Sequence, residues 1–527
     1  LNKSATAMLK LLGAKNVKSV YPNLGPEQEY FLIDMDYYCK RQDLVLGGRT
    51  VIGAPPAKGQ ELEDQYFGSI RERISSYMHD VEEELFKLGI PAKTRHNEVA
   101  PSQYEIAPVY EEANIAVDHN QLVMETLRSV AKKHHLAALL HEKPFARING
   151  SGKHVNWSLS DNHGNNLLNP GTTPQDNIQF LVFLIATVRA VCKHADILRA
   201  SIASYANDLR LGAGEAPPAV MSVFLGEKLT QILEDIEKGT VTGATNAEII
   251  DLGISSLPHV SKDNTDRNRT SPFAFTGNKF EFRMVGSSQS IGLANAVIGA
   301  AVADKLRGFA DRLEAAETVD ACIAEIVHQV WDDHGRVIFN GNNYSEEWVA
   351  EAARRGLPNS PTMVDAASAF IREENIAMFE RTRVFSRDEC HSRYDIMLDS
   401  YAKTMRIAAN TLLEMARRSL LPAACATLSA MAKTVTRAQA AGERSAYAAG
   451  LTRRLTQAVD ACGEAANKLK AALAGIDGAT AAETAKEMQQ VIQNEVARLR
   501  HCCDELEMLV PEERWPMPSY SALLYDV

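Results

Sequence analysis

The stretch GPEQEYF, from Gly25 to Phe31, constrains this chain most, because it predicts a strand that carries two acids on one face. Tyr30 favours a strand, and the Gly-Pro pair before the acids marks where the strand is entered. Alternate side chains of a strand share a face, so Glu27 and Glu29 point the same way. Two such carboxylates repel each other by about 1 to 4 kcal/mol at ~4 Å, for effective dielectric constants between ~80 and ~20. The strand therefore needs solvent, a shared proton or a cation between its acids.

Three further stretches place polar side chains within apolar, strand-forming runs. Each of them alone is also compatible with an exposed, solvated strand face, so their number is what favours an enclosed polar cleft. They are NEVAPSQYE with Glu98 and Glu105, NGSGKHVNWS with His154, Asn156 and Ser158 on one strand face, and NKFEFRMV with Lys279, Glu281 and Arg283 on one face and two Phe rings on the other.

Together these stretches supply five carboxylates and one imidazole. If they lie on neighbouring strands, they form an oxygen-rich site that suits Mg²⁺ or Mn²⁺ better than zinc or copper. Two divalent cations would nearly neutralise five negative charges, whereas the cluster without metal would repel itself. We therefore expect two ions per site, placed to hold the phosphates of a substrate.

Strands and helices are mixed without regular βαβ alternation, which predicts an α+β fold rather than a doubly wound sheet. Hydrophobic periodicity predicts helices over 3–12 and 111–142, and a strand pair or a strand and turn over 145–160. From about residue 300 almost every segment reads as helix. We divide the chain into a catalytic domain over 1–399 and a helical extension with a carboxy-terminal tail over 400–527.

Charge and composition limit the kinds of partner that this chain can have. The net charge of -11 argues against nucleic acid as the main partner. The eight cysteines have irregular spacing, which is typical of reduced thiols in a cytoplasmic protein. The most apolar run, Phe180 to Val191, contains Arg189 and is too short to span a bilayer, so we expect no membrane partner.

Five motifs in order resemble those of the glutamine synthetase family. They are GPEQEYF, NEVAPSQYE, NGSGKHVNWS, RLGAGEAPPAV and NKFEFR, and the resemblance covers nearly the whole chain. The stretch KGQELEDQYFG, the helical extension and the ending ERWPMPSYSALL resemble the large type III class. The resemblance implies a curved antiparallel sheet with surrounding helices, followed by an α-helical extension.

The resemblance also assigns residues to two metals and two substrates. By its motifs, Glu29, Glu98 and Glu105 hold the metal beside glutamate, and Glu27, His154 and Glu281 hold the metal beside the ATP phosphates. It implies that Asn149, Gly150, Arg210 and Arg283 bind glutamate, and that Asn156, Ser158 and Lys279 contact ATP. Asn156 stands where the family often has His, and Lys279 stands where it often has Arg.

Two residues are implied to be catalytic. Glu215 matches the acid of a mobile flap, and the glycines and prolines beside it suit a hinge. Arg269 matches a cation that faces the transferred phosphate, although a further arginine expected just after it is missing from NRTSPFAFTG. Tyr66 aligns weakly with an aromatic residue near the ammonium site.

The implied reaction is ATP-dependent ligation of ammonia to L-glutamate through γ-glutamyl phosphate, in nitrogen assimilation. The partners are then glutamate, ammonium and ATP, with a homo-oligomer of stacked rings, a dodecamer in the family. Two alternatives stay open: a related ligase that joins glutamate to a polyamine or other amine, and a non-catalytic oligomeric scaffold. The flap acid Glu215 favours ammonium, and six retained metal ligands argue against a scaffold.

One departure from the family concerns the start of the sequence. In the family, an amino-terminal β-grasp domain supplies an acid to the ammonium site of the neighbouring subunit. This sequence begins at Leu1, shortly before the first metal strand, and shows no such domain. We interpret it as a sequence that lacks its amino-terminal part, with a protein that works without this domain as the alternative.

Overall fold

The structure is a computed structural model of the 527-residue chain. It describes residues 1–212, 214, 216–238, 249–250, 260–261 and 270–527. The two short segments 249–250 and 260–261 are described by their backbone alone.

One mixed, open sheet forms the centre of the described fold. Its strands are β1 (Val20–Asp34), β2 (Ala92–Asn97), β3 (Gln103–Pro108), β4 (Glu111–Glu112), β5 (Leu136–Leu139), β6 (Gly152–Asp161), β7 (Val223–Phe224), β10 (Phe273–Phe275) and β11 (Phe280–Gly286), whereas β8 (Ile249–Ile250) and β9 (Val260–Ser261) pair separately. The strand order is β2-β3-β1-β6-β11-β10-β7, with β4 and β5 also paired to β1. In the described part of the chain every pair is antiparallel except β7 with β10.

Helices surround the sheet and then dominate the second half of the chain. Before residue 300 begin α1 (Asn2–Leu11), α2 (Met35–Cys39), α3 (Gln42–Gly47), α4 (Glu72–Lys87), α5 (Ala113–Lys133), α6 (Ile178–Lys193), α7 (Ala195–Ser201), α8 (Tyr205–Asp208), α9 (Glu227–Glu237) and α10 (Gly292–Glu314). After it follow α11 (Val319–His334), α12 (Glu346–Arg354), α13 (Met363–Ala367), α14 (Glu373–Thr382), α15 (Arg387–Met415), α16 (Leu421–Ala440), α17 (Ala446–Ala474), α18 (Ala481–Val491), α19 (Ala497–Leu509) and α20 (Tyr520–Tyr525).

The main core lies between the sheet and the helices α6 and α10. Helix α6 is apolar on almost all sides and is buried along nearly its whole length, as expected for a helix between two layers. Phe280 and Phe282 of β11 enter this core from the sheet, with Trp157 of β6 beside them. Because side chains alternate along a strand, the same packing turns the charged residues of β11 to the other face.

The carboxy-terminal helices pack on one another. Helix α15 starts at the capping box formed by Ser386 and Glu389, and it continues through a π-helical turn over 416–420 into α16. Helix α17 packs against α16 and α19, and α18 packs against α15. Helix α15 spans both sides of residue 399, and the division into 1–399 and 400–527 stays a prediction. In the described part of the chain, every helix is either too short or too polar to cross a membrane.

One predicted element differs from the observed one, and the structure decides between two alternatives for another. The helix predicted over 111–142 ends at Lys133, because His135 has a positive φ of 53° that leaves the helical region. The chain then forms β5, whose Leu136 pairs with Asp34 at the end of β1. The strand pair, one of the two alternatives predicted over 145–160, is not what forms there: a turn and a single strand, β6, occupy this range, as in the other alternative.

Candidate active site

The strand register brings the predicted acids together at one cavity. Glu29 of β1 lies opposite Glu105 of β3, and Glu27 lies opposite His154 of β6. On the far side of β6, Asn156 lies opposite Glu281 of β11. A cavity of about 320 Å³ opens on this face of the sheet. Its lining is Glu27, Glu29, Tyr66, His96, Glu98, Gln103, Glu105, Gly150, His154, Arg210, Ala216, Glu281, Arg283 and Tyr344.

The first cluster in the cavity joins three strands. Nδ1 of His154 lies 3.0 Å from Oε1 of Glu281 and 3.4 Å from Oε2 of Glu27. Asn156 donates to the other oxygen of Glu27 at 2.8 Å, and Arg283 donates to the other oxygen of Glu281 at 2.9 Å. The three ligand atoms, one from each residue, lie within 4.8 Å of one another, which is compatible with a single cation between them.

Electrostatics hold this cluster ionised. Burial disfavours the charged form of each group, but the hydrogen bonds to Glu27 and Glu281 outweigh it and raise the pKa of His154 well above its ordinary value. Burial likewise raises the pKa of Glu281, but the hydrogen bond to His154 and the Arg283 guanidinium turn the shift downward. The pKa of Glu27 also falls, because its contacts with His154 outweigh burial. The positive charge of the imidazolium thus lies beside the two carboxylates, where a divalent cation could bind.

A second cluster lies across β2 and β3. Nε2 of His96 lies 3.0 Å from Oε1 of Glu105, and Nδ1 of the same ring lies 3.4 Å from Oε1 of Glu98. Both carboxylates are largely buried, whereas the His96 side chain is 41% exposed. The sequence analysis missed His96. The available signal was its position two residues before Glu98, which puts both side chains on one face if the strand continues.

The second cluster also holds a proton. The hydrogen bond to Glu105 raises the pKa of His96 to about 9. Burial raises the pKa of Glu105, and neighbouring Glu27 and Glu29 raise it further through like-charge repulsion. The positive charge of the protonated His96 ring therefore offsets the negative charge of Glu98 and Glu105, which the family motifs assign to a metal.

Glu29 stands between the two clusters. Its Oε2 accepts a hydrogen bond from the backbone N–H of Gly152 at 2.6 Å, which fixes the carboxylate against the start of β6. Ser287 donates to its backbone carbonyl at 2.8 Å. Glu29 lines the cavity, but the group whose ligand atoms lie within 4.8 Å of one another joins Glu98 and Glu105 to His96.

Three of the four residues assigned to glutamate also line the cavity. Gly150, Arg210 and Arg283 line it, and both guanidinium groups are buried. Arg210 donates to the backbone carbonyls of Arg283 at 3.2 Å and Val285 at 3.4 Å, and burial lowers its pKa. Asn149 is buried directly before Gly150. A planar guanidinium suits a carboxylate substrate at such a place.

The residues assigned to ATP are more dispersed. Asn156 touches the first cluster through Glu27, whereas Ser158 is fully buried and contacts the hydroxyl of Tyr110. Lys279 lies in the turn between β10 and β11, one residue before the strand, and its backbone carbonyl accepts from Thr276 at 2.8 Å. Lys279 and Ser158 are outside the described lining of the cavity. Glu215 and Arg269, the two predicted catalytic residues, lie outside the described residues.

The donor set fits hard divalent cations. Each cluster offers carboxylate oxygens with one imidazole, and such ligands suit Mg²⁺ or Mn²⁺. Besides His96, the sequence analysis missed Gln103 and Tyr344 as lining residues. Tyr66, which it aligned only weakly, does line the cavity.

Comparisons with known proteins agree with these motifs. The model of the glutamine synthetase catalytic domain matches residues 4–222, and that of the glutamine synthetase C-terminal domain matches residues 322–439. The chain is 44% identical to a glutamine synthetase of Butyrivibrio fibrisolvens, over 100% of this chain and 76% of the relative. It is 42% identical to the type-3 glutamine synthetase of Dictyostelium discoideum, over 99% of this chain and 72% of the relative.

A third relative and a solved structure complete the comparison. Identity to a glutamine synthetase of Bacteroides fragilis is 39%, over 100% of this chain and 74% of the relative. The solved structure described as "Apo GmaS without ligand" is 15% identical, with a TM-score of 0.46 over 76% of this chain and 72% of that one. On the sequence matches, this chain belongs to the glutamine synthetase family of ligases, and its predicted likeness to the type III class is confirmed.

Proposed function

We propose that this chain ligates ammonia to L-glutamate at the expense of ATP, giving L-glutamine, ADP and phosphate through γ-glutamyl phosphate. One observation carries the proposal: five carboxylates and His154 meet two buried arginines in a single cavity of about 320 Å³. In such a site the carboxylates can hold cations that bind phosphates, while the guanidinium groups bind the carboxylates of a substrate.

The two metal positions are taken from the family motifs, and the first of them coincides with the cluster of Glu27, His154 and Glu281. We propose that Glu27, His154 and Glu281 hold one Mg²⁺ or Mn²⁺, and that Glu29, Glu98 and Glu105 hold the second. When bound, such ions offset the charge that develops on a transferring phosphoryl group. When a metal ion binds at the second position, His96 loses its contacts with the carboxylates of Glu98 and Glu105.

The substrate positions are assigned by the family motifs. Glutamate is held by Arg210 and Arg283 through its carboxylate, and by Asn149 and Gly150, where the absence of a side chain at Gly150 permits close approach. ATP is contacted by Asn156, Ser158 and Lys279. The γ-carboxylate of glutamate then attacks the γ-phosphorus of ATP, and the bond to ADP breaks.

The second half-reaction needs a base. Ammonium loses a proton to Glu215, and ammonia attacks the activated carbonyl carbon, from which phosphate leaves. Arg269 is assigned to the transferring phosphate, where a fixed cation lowers the barrier by electrostatic stabilisation. Both assignments depend on the sequence motifs.

Assembly, location and domain limits also belong to the proposal. The family resemblance supports a homo-oligomer of stacked rings in the cytoplasm. It further supports a catalytic domain over 1–399 and a helical extension over 400–527.

Phosphate release by the full-length protein tests the reaction. With Mg-ATP and glutamate we expect little turnover, and ammonium should stimulate it strongly. A matched series replaces ammonium by methylamine, a diamine and a polyamine. Stimulation by a larger amine and not by ammonium would contradict the proposal in favour of a γ-glutamyl-amine ligase. Absence of ATP turnover with every amine would contradict catalysis altogether.

A further inference from the structure

The segment Trp515–Val527, here called the 515–527 segment, packs under the wall of the cavity. Tyr520, Leu523 and Leu524 of α20 are buried in a cluster that contains Phe31 of β1. The Tyr520 ring stands edge-on to Phe145, with ring centroids 5.5 Å apart. This apolar contact fixes α20 behind the strand that carries Glu27 and Glu29.

From that position, α20 reaches a long loop at the cavity. Residues 48–71 connect α3 to α4 without a helix or strand of their own. The Tyr525 hydroxyl lies 2.9 Å from the carbonyl oxygen of Lys58 and 2.7 Å from that of Gly59, and it donates its one proton to this pair. A loop of this length takes its shape from such external contacts, because no ladder of its own constrains it.

The next residue of the loop holds the proposed glutamate site. Oε1 of Gln60 accepts from the backbone N–H of Asn149 at 2.8 Å, and Nε2 of Gln60 donates to Oδ1 of Asn149 at 2.8 Å. This two-point contact fixes both the backbone and the amide plane of Asn149. Because Gly150 follows directly and lines the cavity, a displacement of Gln60 moves the cavity wall.

The segment also makes hydrogen bonds that do not involve residues 58–60. Arg71, at the end of the loop, donates to the carbonyls of Tyr525 at 2.9 Å and Val527 at 2.7 Å. Ser102, in the turn before β3, donates to the carbonyl of Leu524 at 2.8 Å. Asp526 accepts from the hydroxyl of Tyr37 at 3.1 Å, and Tyr37 lies in α2, outside the loop. The Tyr37 contact therefore offers a matched control, since it ties down the same segment without touching residues 58–60.

We propose that Tyr525 is a positioning residue for glutamate, acting through Gly59 and Gln60 on Asn149. The inference rests on the proposed role of Asn149 and Gly150 in glutamate binding. It gives the 515–527 segment a part in substrate affinity in addition to its packing.

The experiment compares Tyr525→Phe with Tyr37→Phe in the full-length protein. Each variant loses one tyrosine hydroxyl that ties down the same segment, bonded to backbone carbonyls for Tyr525 and to the Asp526 carboxylate for Tyr37. Tyr525→Phe should raise the KM for glutamate about fivefold, the factor that corresponds to one neutral hydrogen bond. Its KM for ATP should stay unchanged, and Tyr37→Phe should leave both KM values unchanged. Equal KM values for glutamate in the two variants would overturn the inference.

A double variant tests the route. If Tyr525 acts through Gln60, Tyr525→Phe should add little to the rise in glutamate KM that Gln60→Ala causes. If the rise in glutamate KM of the double variant equals the product of the two single-variant rises, this route is overturned. Asn149→Ala separates this inference from the proposed function. If Asn149→Ala raises the KM for glutamate and Tyr525→Phe does not, the inference about Tyr525 is overturned and the proposed function stands. If Asn149→Ala leaves the KM for glutamate unchanged, both the glutamate assignment and the inference are overturned.

Discussion

Glu27 and His154 face each other across β1 and β6, with Nδ1 of the ring 3.4 Å from Oε2 of the carboxylate. The same ring nitrogen lies 3.0 Å from Glu281. Nδ1 of His154 thus contacts both carboxylates, and the positive charge of the ring offsets their negative charge when no metal is bound. A cation that enters this site takes over the role of that proton, which makes metal binding dependent on His154.

We expect His154→Asn to weaken one of two Mn²⁺-binding events measured by titration calorimetry without ATP. The affinity of the affected site should fall by about 100-fold, the upper end of the range for residues that only orient a ligand. His119→Asn is the control, because Nδ1 of His119 lies 2.6 Å from Glu111 but neither residue lines the cavity. Two unaltered binding events in His154→Asn would contradict the first metal position.

His96 should titrate with a midpoint near pH 9 in the metal-free protein, because Glu105 favours its charged form. Its folded pKa lies above the ordinary value of 6.5, so the pair stabilises the fold fully below about pH 6.5. That stabilisation is lost as the pH rises through about 9. Saturating Mg²⁺ should lower the midpoint, since the metal occupies the carboxylates that hold the proton.

Histidine resonances followed by NMR check this prediction, with His96→Gln to assign the signal. A midpoint near 6.5 without metal would contradict the contact with Glu105. A midpoint that Mg²⁺ does not move would contradict a metal at Glu98 and Glu105.

Gly152→Ala should impair glutamate binding. A Cβ at residue 152 would lie 2.0 Å from Nη2 of Arg210, so the guanidinium must leave its place at the cavity. The KM for glutamate should rise at least about 10-fold, as expected for the loss of a charged hydrogen bond. Gly308→Ala is the control, since nothing lies within 4 Å of its Cβ position in α10, and it should stabilise the helix by about 0.5–1 kcal/mol. Equal glutamate KM values in both variants would argue against Arg210 as a substrate ligand.

Glu215→Ala should separate the two half-reactions. The acyl phosphate should still form, because its chemistry needs only the metals, ATP and glutamate. Glutamine should form about 10²- to 10⁴-fold more slowly, the usual contribution of a general base. Trapping of the acyl phosphate with hydroxylamine and assay of glutamine measure the two steps. Unchanged glutamine output would refute the assignment of Glu215.

Asp43→Asn should destabilise the fold without touching the cavity. Asp43 and Arg41 form a fully buried ion pair with a distance of 2.6 Å, and Arg41 also donates to the carbonyl of Pro518 at 3.0 Å. Breaking a buried pair leaves a charge uncompensated and costs about 3–5 kcal/mol. Denaturant unfolding measures the loss. Glu373→Gln, which removes a surface charge bonded to Arg387, should leave the midpoint unchanged.

Much of the site could be predicted from local sequence. The spacing of Glu27 and Glu29 put both on one strand face, and both line the cavity. The alternation in NKFEFRMV correctly turned Phe280 and Phe282 inward and Glu281 and Arg283 to the cavity. Period-two alternation is local, so a strand reveals its faces before its partners are known.

Other features depended on neighbours that are distant in sequence. No local pattern indicated that the chain after Lys133 leaves the helix and pairs with β1, because that strand exists only through its ladder with residues 31–34. His96 was missed for a similar reason: its role depends on the β2–β3 register, in which it lies opposite Glu105. Register is set by packing and turns rather than by composition.

The sequence by itself determined the side chains of the site, the strand faces that carry them and the family. Tertiary structure alone decided which acid lies beside which histidine, because Glu29 and Glu105, or Glu27 and His154, become neighbours only when the strands pair. It also decided that Tyr525 reaches the carbonyls of residues 58 and 59. Contacts between such distant positions arise from burial of α20 against β1, and no window of sequence contains both partners.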